Sequence, residues 1–192
     1  DPQSKLSLYR DWGRRFADPL LIDKPFDLDR NPDRVLRIGY VSGDMREHSV
    51  AFFMEPVFKH HNKEKVDVFV FSTSATQDAM TDKLKKHVPN WFSVAHMDDT
   101  ALYKLIRKKR IDILVDLSGH TQGHRLGVFA RRAAPIQVTW LGYMGGTLGM
   151  QAMDYRLTDF TMDPPGNERQ YVEQLFRLNC MASYMPPQHA PL

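Results

Sequence analysis

The sequence predicts an α/β domain built on a doubly wound, Rossmann-like parallel sheet. Four runs rich in β-branched and aromatic residues predict strands, and helical patterns lie between them. The interiors of these runs are almost continuously apolar, which is typical of parallel strands covered by helices on both faces. The runs are VLRIGYVS (35–42), VDVFVFSTS (66–74), IDILVDLSG (111–119) and IQVTWLGY (136–143).

The segments between these runs have the apolar periodicity of amphipathic helices. The best pattern is DDTALYKLIRKKR, where Asp98 or Asp99 can cap the amino end. Pro56 lies inside the first helical segment and requires a kink or a late start there, because proline has no N–H to donate. The predicted helices span 48–61, 75–87 and 98–110, and one face of the last carries Leu102, Leu105 and Ile106.

The composition is that of a soluble globular protein and excludes several other classes. Of the 192 residues, 42% are hydrophobic and 26% are charged, and no apolar run approaches the roughly 20 residues that cross a bilayer. The start of the chain lacks the apolar core of a signal peptide, so we expect a cytoplasmic protein without membrane partners. The single cysteine, Cys180, excludes an internal disulfide and a cysteine-rich zinc site.

The net charge of +3 is mild, and the basic residues cluster only in RKKR, at 107–110. This cluster lies at the end of a predicted helix, where cations stabilise the negative end of the helix dipole. No pattern of stacking aromatic residues accompanies it, so nucleic acid is not expected as a partner.

The two ends of the chain suggest a piece of a longer protein. Residues 1–32 combine an amphipathic helix with a connector rich in proline and aspartate, and 166–192 end in the proline-rich stretch SYMPPQHAPL. Between them, residues 33–165 form the predicted Rossmann-like unit. Because proline disrupts helices and sheets, 166–192 is interpreted as a strap that leaves this unit.

Ligands of doubly wound domains bind at the carboxyl ends of the strands, which directs attention to three loops. In the first, SGDMREHS (42–49), the glycine pattern of a dinucleotide-binding loop and a P-loop are both absent. His48 lies near the start of a helix, where the positive end of the dipole favours a neutral ring. Such a ring can act as a base or a hydrogen-bond partner, or it can be only a cap.

The second loop, DLSGHTQGHR (116–125), places His120 and His124 four residues apart. Its glycines favour a loop over a helix, and no His-Glu-x-x-His motif is present, so a metal site is not expected. No nucleophile elbow surrounds either of its hydroxyl residues. Asp116 ends a buried strand, where its carboxylate can orient a neighbouring side chain or a ligand hydroxyl. The alternative is a polar turn with a helix cap.

The third loop, GYMGGTLG (142–149), has four glycines in eight residues. Glycines let backbone amides approach an anion or a sugar, and Trp140, just before the loop, offers an aromatic face to a ring. Glycine-rich turns are common, so the prediction of a site rests on three loops that converge at one edge of the sheet.

Four longer motifs follow one another along the chain: LRIGYVSGDMREHS, IDILVDLSGHTQGHRLGVFARRAAPIQVTWLGYMGGTLG, MDYRLTDFTMDPP and YVEQLFRL. In this order they resemble the O-GlcNAc transferase and SPINDLY family of glycosyltransferases. The resemblance covers roughly residues 35–187. The segment RDWGRRFADPL is similar to the one that joins the family's tetratricopeptide repeats to its catalytic region.

The resemblance implies the GT-B architecture, in which two Rossmann-like halves face each other across a cleft, and this chain resembles the amino-terminal half. It also implies an inverting transfer without a metal or another cofactor, with UDP-GlcNAc as donor and Ser or Thr hydroxyls of proteins as acceptors. The carboxyl-terminal half, which supplies most nucleotide-sugar contacts in the family, and the repeats that hold acceptor proteins lie outside this chain. On this interpretation the fragment does not catalyse transfer alone.

The resemblance matches His48 to a family histidine considered as a catalytic base and Asp116 to the loop that lines the cleft near donor and acceptor. As catalytic residues, the two together could orient the acceptor hydroxyl and accept its proton. Backbone amides of residues 142–147 could stabilise the charge of the leaving nucleotide diphosphate. The residues assigned to substrate and donor binding are Gly119, His120, Thr121, Gly142, Tyr143, Gly145, Gly146 and Thr147.

The chain departs from the family pattern at Ala133 and Met144, where the family commonly has prolines, and its glycine loop is one residue longer. The identity of the donor sugar therefore stays open. A SPINDLY-like fucosyltransferase that uses GDP-fucose is the nearest alternative, because GHT and TDFTMDPP are closer to SPINDLY members. A non-catalytic α/β interaction module is the alternative from another class.

Overall fold

One parallel sheet of seven strands, with helices on both faces, organises the chain. The computed structural model describes residues 2–184, with only the backbone of Pro2. The strands are β1 (Leu36–Ser42), β2 (Val66–Ser72), β3 (Asn90–Ser93), β4 (Ile113–Asp116), β5 (Ile136–Thr139), β6 (Tyr155–Asp159) and β7 (Gln174–Leu178). Their order across the sheet is β3-β2-β1-β4-β5-β6-β7, and all neighbours run parallel. The predicted doubly wound α/β class is confirmed.

The helices are α1 (Pro2–Trp12), α2 (Ser49–His60), α3 (Ala79–Lys85), α4 (Asp99–Lys108) and α5 (Leu126–Ala130). Short π-helical and 3-10 turns, Gly13–Ala17 and Asp18–Leu20, extend α1, and a 3-10 turn at Asn167–Gln170 precedes β7. All three predicted helices are therefore present. Within the described residues, none of the helices is long and apolar enough to cross a membrane.

Two helix details bear on the sequence predictions. Asp98 caps α4, because its carboxylate accepts the backbone N–H of Ala101 at 2.7 Å. Of the two alternatives predicted for Pro56, a kink or a late start, the late start is wrong, since α2 begins at Ser49 and continues through Pro56. Burial explains this continuity. Met54, two residues before the proline, is 0% exposed, and the packing of α2 against the sheet holds the helix although Pro56 has no N–H to donate.

Each face of the sheet has its own apolar core. Helices α2 and α3 pack over one face, and α4, α5 and the segment that follows α1 pack over the other. Neighbouring residues of β4 show the alternation, because Leu114 belongs to one core and Val115 to the other. Burial of both faces accounts for the continuous apolar runs in the sequence.

The sheet extends into the segment interpreted as a strap. The strand β7 lies within 166–192 and pairs with β6 along its whole length, so the unit continues beyond the predicted boundary at residue 165. Because β7 is an edge strand, its side chains are only partly covered, and Phe176 is 54% exposed. The apolar pattern of β7 is therefore weak, and the prolines of this segment, on which the prediction depended, lie outside the strand. Residues 185–192 lie outside the described residues.

The basic cluster RKKR holds the connector that follows α1. The Arg107 guanidinium donates to the carbonyl O of Pro25 at 2.7 Å and lies 3.9 Å from the ring centroid of Phe26. Arg110 pairs with Asp27 at 2.8 Å. These contacts give the cluster a structural role in attaching residues 24–27 to the domain, in addition to its place at the end of α4.

Candidate functional site

The carboxyl ends of β1 and β4 lie side by side at the centre of the sheet, where the strand order reverses direction. Val41 of β1 pairs with Asp116 of β4, so the loops that follow leave the sheet at the same level. The hydroxyl of Thr73 donates to the carbonyl O of Gly123 at 3.4 Å and so joins the loop after β2 to the loop after β4. Doubly wound domains bind ligands at such a switch point. The first and second predicted loops both border it.

His48 is the N-cap residue of α2. Its Nδ1 accepts the backbone N–H of Val50 at 3.2 Å, so a neutral ring carries its proton on Nε2. Nε2 lies 3.8 Å from Oδ1 of Asp44, and 37% of the His48 side chain is exposed. The ring therefore presents an N–H group at the switch point and can donate a hydrogen bond there. To accept a proton at Nε2, the neutral ring must carry its own proton on Nδ1, and Nδ1 can then no longer accept the N–H of Val50.

Asp116 is buried at the end of β4, with 1% of its surface exposed. Its carboxylate accepts the N–H groups of Ser118 and Gly119, at 3.1 and 2.9 Å, and the hydroxyl of Thr139 at 2.9 Å. Burial raises the pKa of Asp116 to about 6, although these hydrogen bonds and the charge of Arg156 oppose the rise. The carboxylate shapes the turn after β4 and is shielded from a ligand.

The ring of His120 lies beneath α1. The rings of Trp12, Tyr9 and Tyr143 surround it, with centroids 4.5, 5.3 and 5.5 Å away. Its Nε2 lies 3.0 Å from the carbonyl O of Leu148, which accepts the N–H of the neutral ring. Burial lowers the pKa of His120, so the ring stays neutral near pH 7. His120 thus joins the second loop to α1 and to the third loop.

The glycines of the third loop permit close packing against the second. A Cβ atom at Gly142 would lie 1.8 Å from the carbonyl O of Leu117, and one at Gly119 would lie 2.1 Å from Cβ of Tyr143. Gly119 also has a φ of +55°, in the left-handed region that favours glycine. The second and third loops therefore form one packed unit.

Four other predicted binding residues belong to this packed unit. Gly145 and Gly146 border a cavity of about 330 Å³ between the third loop and α1. The buried hydroxyl of Thr147 donates to Oε2 of Glu173 at 2.6 Å, and the hydroxyl of Thr121 donates to the carbonyl O of the loop's own serine at 2.7 Å. Both hydroxyls therefore have partners inside the protein. Among residues 2–184, no group of three or more His, Cys, Asp and Glu side chains could hold a metal ion.

His48 and His120 reach the carboxyl edge from opposite faces of the sheet. Helix α2, which His48 caps, packs on one core, whereas Trp12 of α1, which covers His120, packs on the other. Their loops still meet at the edge, because a Cβ atom at Gly43 would lie 3.8 Å from the carbonyl O of Gly123. A ligand that contacts both loops must therefore lie across the edge.

Comparison with known proteins identifies the family. A family model described as glycosyl transferase family 41 matches residues 20–187. The chain belongs to this family. Among its relatives are a probable UDP-N-acetylglucosamine–peptide N-acetylglucosaminyltransferase SPINDLY of Solanum lycopersicum, 40% identical over 96% of this chain, and the SEC protein of the same enzyme name in Arabidopsis thaliana, 37% identical over 74%.

The family 41 chain is also similar to a solved structure. A mutant of Thermobaculum terrenum O-GlcNAc transferase matches it with a TM-score of 0.93 and 44% identity, over 98% of this chain and 36% of that chain. The resemblance seen in the motifs and the half of a GT-B fold are therefore confirmed. This chain spans 20% of the tomato relative and 15% of the Arabidopsis one, so it represents only part of a family 41 enzyme.

Sequence reasoning missed several residues that hold the family 41 loops. Tyr9 and Trp12 precede the matched segment, yet their rings cover His120. Arg156 and Glu173 are both buried beneath the third loop. A signal for the arginine existed, since a charged residue flanked by apolar ones in MDYRLTDF indicates a buried charge with a specific partner.

One departure from the family pattern has a structural explanation. The N–H of Ala133, at the position where the family commonly has a proline, donates to Oε1 of Gln137 at 3.0 Å. Proline has no N–H and could not make this bond. The amide of Gln137 also donates to the carbonyl oxygens of Phe129 and Ala152, at 2.8 and 2.7 Å. The APIQ motif therefore fixes the turn before β5.

Proposed function

We propose that this chain is the amino-terminal half of the catalytic region of a protein O-GlcNAc transferase. The proposed enzyme moves GlcNAc from UDP-GlcNAc to Ser and Thr hydroxyls of proteins, with inversion and without a metal or other cofactor. The observation that carries the proposal is the similarity of 98% of the chain to an O-GlcNAc transferase at 44% identity. Repeats that hold acceptor proteins and a second Rossmann-like half would belong to the same, cytoplasmic protein.

In the proposed reaction the acceptor hydroxyl oxygen forms a bond to the anomeric carbon while the bond from that carbon to the diphosphate breaks. The electron pair leaves with UDP, and the hydroxyl proton passes to a base. We assign His48 to the reacting centre through Nε2, because this atom is at the switch point and its ring is partly exposed. As a donor it would hold an oxygen of the substrates, and as a base it would first lose its contact with Val50.

The second and third loops complete the proposed site. Asp116 is proposed to act through the turn that it holds, since its carboxylate accepts two N–H groups of that turn. Backbone N–H groups of residues 142–147 would stabilise charge on the leaving diphosphate. Because half of the cleft lies outside this chain, we expect the 192-residue chain alone to transfer no sugar.

Calorimetry on the full-length protein tests the choice of donor. We expect UDP-GlcNAc to bind at least about tenfold more tightly than GDP-fucose, a difference of roughly 1.4 kcal/mol. Tighter binding of GDP-fucose would instead establish a SPINDLY-like fucosyltransferase. That second candidate rests on the motifs GHT and TDFTMDPP, which are closer to SPINDLY members. If neither nucleotide sugar binds, the chain is part of a non-catalytic module and the proposal fails.

A further inference from the structure

Arg156 of β6 is a buried cation directed at the backbone of the third loop. Only 6% of its surface is exposed. Its Nη1 donates to the carbonyl O of Gly146 and its Nη2 to the carbonyl O of Tyr143, both at 3.0 Å. A buried charge is costly unless it is hydrogen-bonded, so these two carbonyl groups are held firmly.

Glu173 fixes the far end of the same loop. It is 3% exposed, and its two carboxylate oxygens accept the N–H of Leu148 and the hydroxyl of Thr147, both at 2.6 Å. The Thr147 oxygen in turn accepts the N–H groups of Gly149 and Val172, at 3.0 and 3.1 Å. The loop between Tyr143 and Leu148 is thus held from the protein side by one buried cation and one buried anion.

The arginine contacts determine where two N–H groups point. Every peptide bond in the described chain is trans, and in a trans peptide the C=O and N–H groups point in opposite directions. The carbonyl groups of Tyr143 and Gly146 face the guanidinium, so the N–H groups of Met144 and Thr147 point away from it. Within the described residues, neither N–H group has a hydrogen-bond acceptor.

A cavity with a further cation lies against this part of the loop. The cavity of about 330 Å³ is lined by Lys5, Met144, Gly146 and Thr147 among others. The Nζ atom of Lys5, on α1, lies 3.7 Å from the position that a Cβ atom of Gly146 would occupy. Gly146 has no side chain, so its backbone is accessible from the cavity, whereas the ring of Tyr143 covers the position that a Cβ atom of Gly145 would occupy. Unpaired N–H groups beside an ammonium group are the donor set that binds phosphate oxygens.

We propose that the cavity between α1 and the third loop binds a phosphate-type oxyanion. The ligands are the N–H groups of Met144 and Thr147 and the ammonium group of Lys5, and Arg156 is the positioning residue that turns both peptide units toward the anion. The diphosphate of a nucleotide sugar and a separate phosphate group share this chemistry. The site deepens the proposed function, which gives the N–H groups of residues 142–147 to the leaving diphosphate, and it rests on that function only if the bound anion is the diphosphate of the donor.

The experiment measures binding of inorganic pyrophosphate and of UDP to the full-length protein by calorimetry. Lys5→Gln and Arg156→Lys are each expected to weaken pyrophosphate binding about tenfold, because each removes or misdirects a charged hydrogen bond. Lys104→Gln, which changes an exposed lysine of α4, is the control for the lost charge. Arg132→Lys is the control for the loss of an arginine that binds two backbone carbonyl groups. Arg132 donates to the carbonyl oxygens of Ala152 and Pro135, both at 2.9 Å, away from the cavity. Both controls should retain the wild-type affinity.

The two probes separate the possible sources of the anion. If the donor diphosphate occupies the site, the same two variants also weaken UDP, and UDP competes with pyrophosphate. If a separate phosphate group occupies it, the two variants keep the wild-type affinity for UDP, and UDP and pyrophosphate bind to the protein at the same time without competing. Unchanged pyrophosphate affinity in both variants overturns the proposal. Wild-type protein that binds pyrophosphate but no UDP refutes the proposed transferase and leaves the oxyanion site supported.

A measurement on the wild-type protein covers the case in which a variant fails to fold. Amide hydrogen exchange of Met144 and Thr147 should slow at least about fivefold when pyrophosphate is added, because each N–H group gains an acceptor. The amide of Leu148, which already donates to Glu173, should change little. Equal exchange at all three amides with and without pyrophosphate contradicts the proposed ligands.

Discussion

The loop after β1 and the loop after β4 leave the same edge of the sheet but differ in what their side chains do. In the first, His48 makes one hydrogen bond to the helix that it caps and is 37% exposed. In the second, Asp116 is 1% exposed and His120 is enclosed by three aromatic rings. The first loop leaves an imidazole ring partly exposed at the edge of the sheet, whereas the polar side chains of the second loop hold its backbone. Polar residues at a predicted site therefore differ in how much of each side chain remains exposed to a ligand.

Substitution of one glycine in each loop should show this difference most clearly. We expect Gly119→Ala to lower the free energy of unfolding by roughly 3 kcal/mol, from the left-handed backbone and from overpacking. Its φ is +55°, and the new Cβ would lie 2.1 Å from Cβ of Tyr143. Gly43→Ala should cost less than about 1 kcal/mol, because its nearest neighbour, Oγ1 of Thr73, is 3.4 Å away. Urea unfolding of the 192-residue chain measures both values. Equal losses would contradict the contrast between the loops.

Replacement of His48 should separate its chemical role from its structural one. His48→Asn keeps an N-cap acceptor but removes the imidazole, so we expect kcat of the full-length enzyme to fall about 100-fold. Its stability should stay within about 0.5 kcal/mol of wild type, whereas His48→Ala should lose about 1 kcal/mol more through the missing cap. Steady-state transfer assays and thermal unfolding provide the two readouts. Full activity in His48→Asn would end the catalytic assignment and leave His48 as a cap.

Much of the fold could be predicted because a sheet buried on both faces requires continuous apolar runs in its strands and apolar periodicity in its helices. The four predicted strands and three predicted helices all exist, since their apolar residues serve the two cores. The strands β3 and β7, which were not predicted, form the two edges of the sheet, and neither has a buried residue. Edge strands need fewer apolar residues, so the pattern fades where the sheet ends.

The candidate site was harder to predict, because sequence position does not reveal which groups face a ligand. The glycines of the third loop predicted an approach of backbone to a ligand. Gly142 instead approaches the carbonyl O of Leu117, whereas Gly145 and Gly146 border the cavity of about 330 Å³ beside α1. Two of the three rings that enclose His120 come from α1, more than a hundred residues earlier in the chain. Such long-range partners follow from the fold and not from local pattern.

The buried carboxylate of Asp116 provides the finest test, because its protonation should be visible in the pH dependence of stability. Burial raises its pKa to about 6 in the folded state, from an ordinary value of 3.8. The folded state therefore binds more protons between these values, and stability falls as pH rises through them. Asp116→Asn does not titrate, so wild type should lose about 1.4 kcal/mol relative to this variant between pH 5 and 7.

Asp112, at the opposite end of β4, is the matched control. Burial opposes ionisation there too, but the hydrogen bonds from Arg34 and from the N–H of Arg37 outweigh it and lower the pKa of Asp112. The stability that this carboxylate contributes is present above its ordinary pKa and is lost only as pH falls through the lowered value. Asp112→Asn should therefore differ from wild type by the same amount at pH 5 and pH 7. Urea unfolding could instead show that the free energies of unfolding of wild type and Asp116→Asn also differ by the same amount at pH 5 and pH 7. The Asp116 carboxylate would then be ionised throughout this range, and its burial would not control its charge.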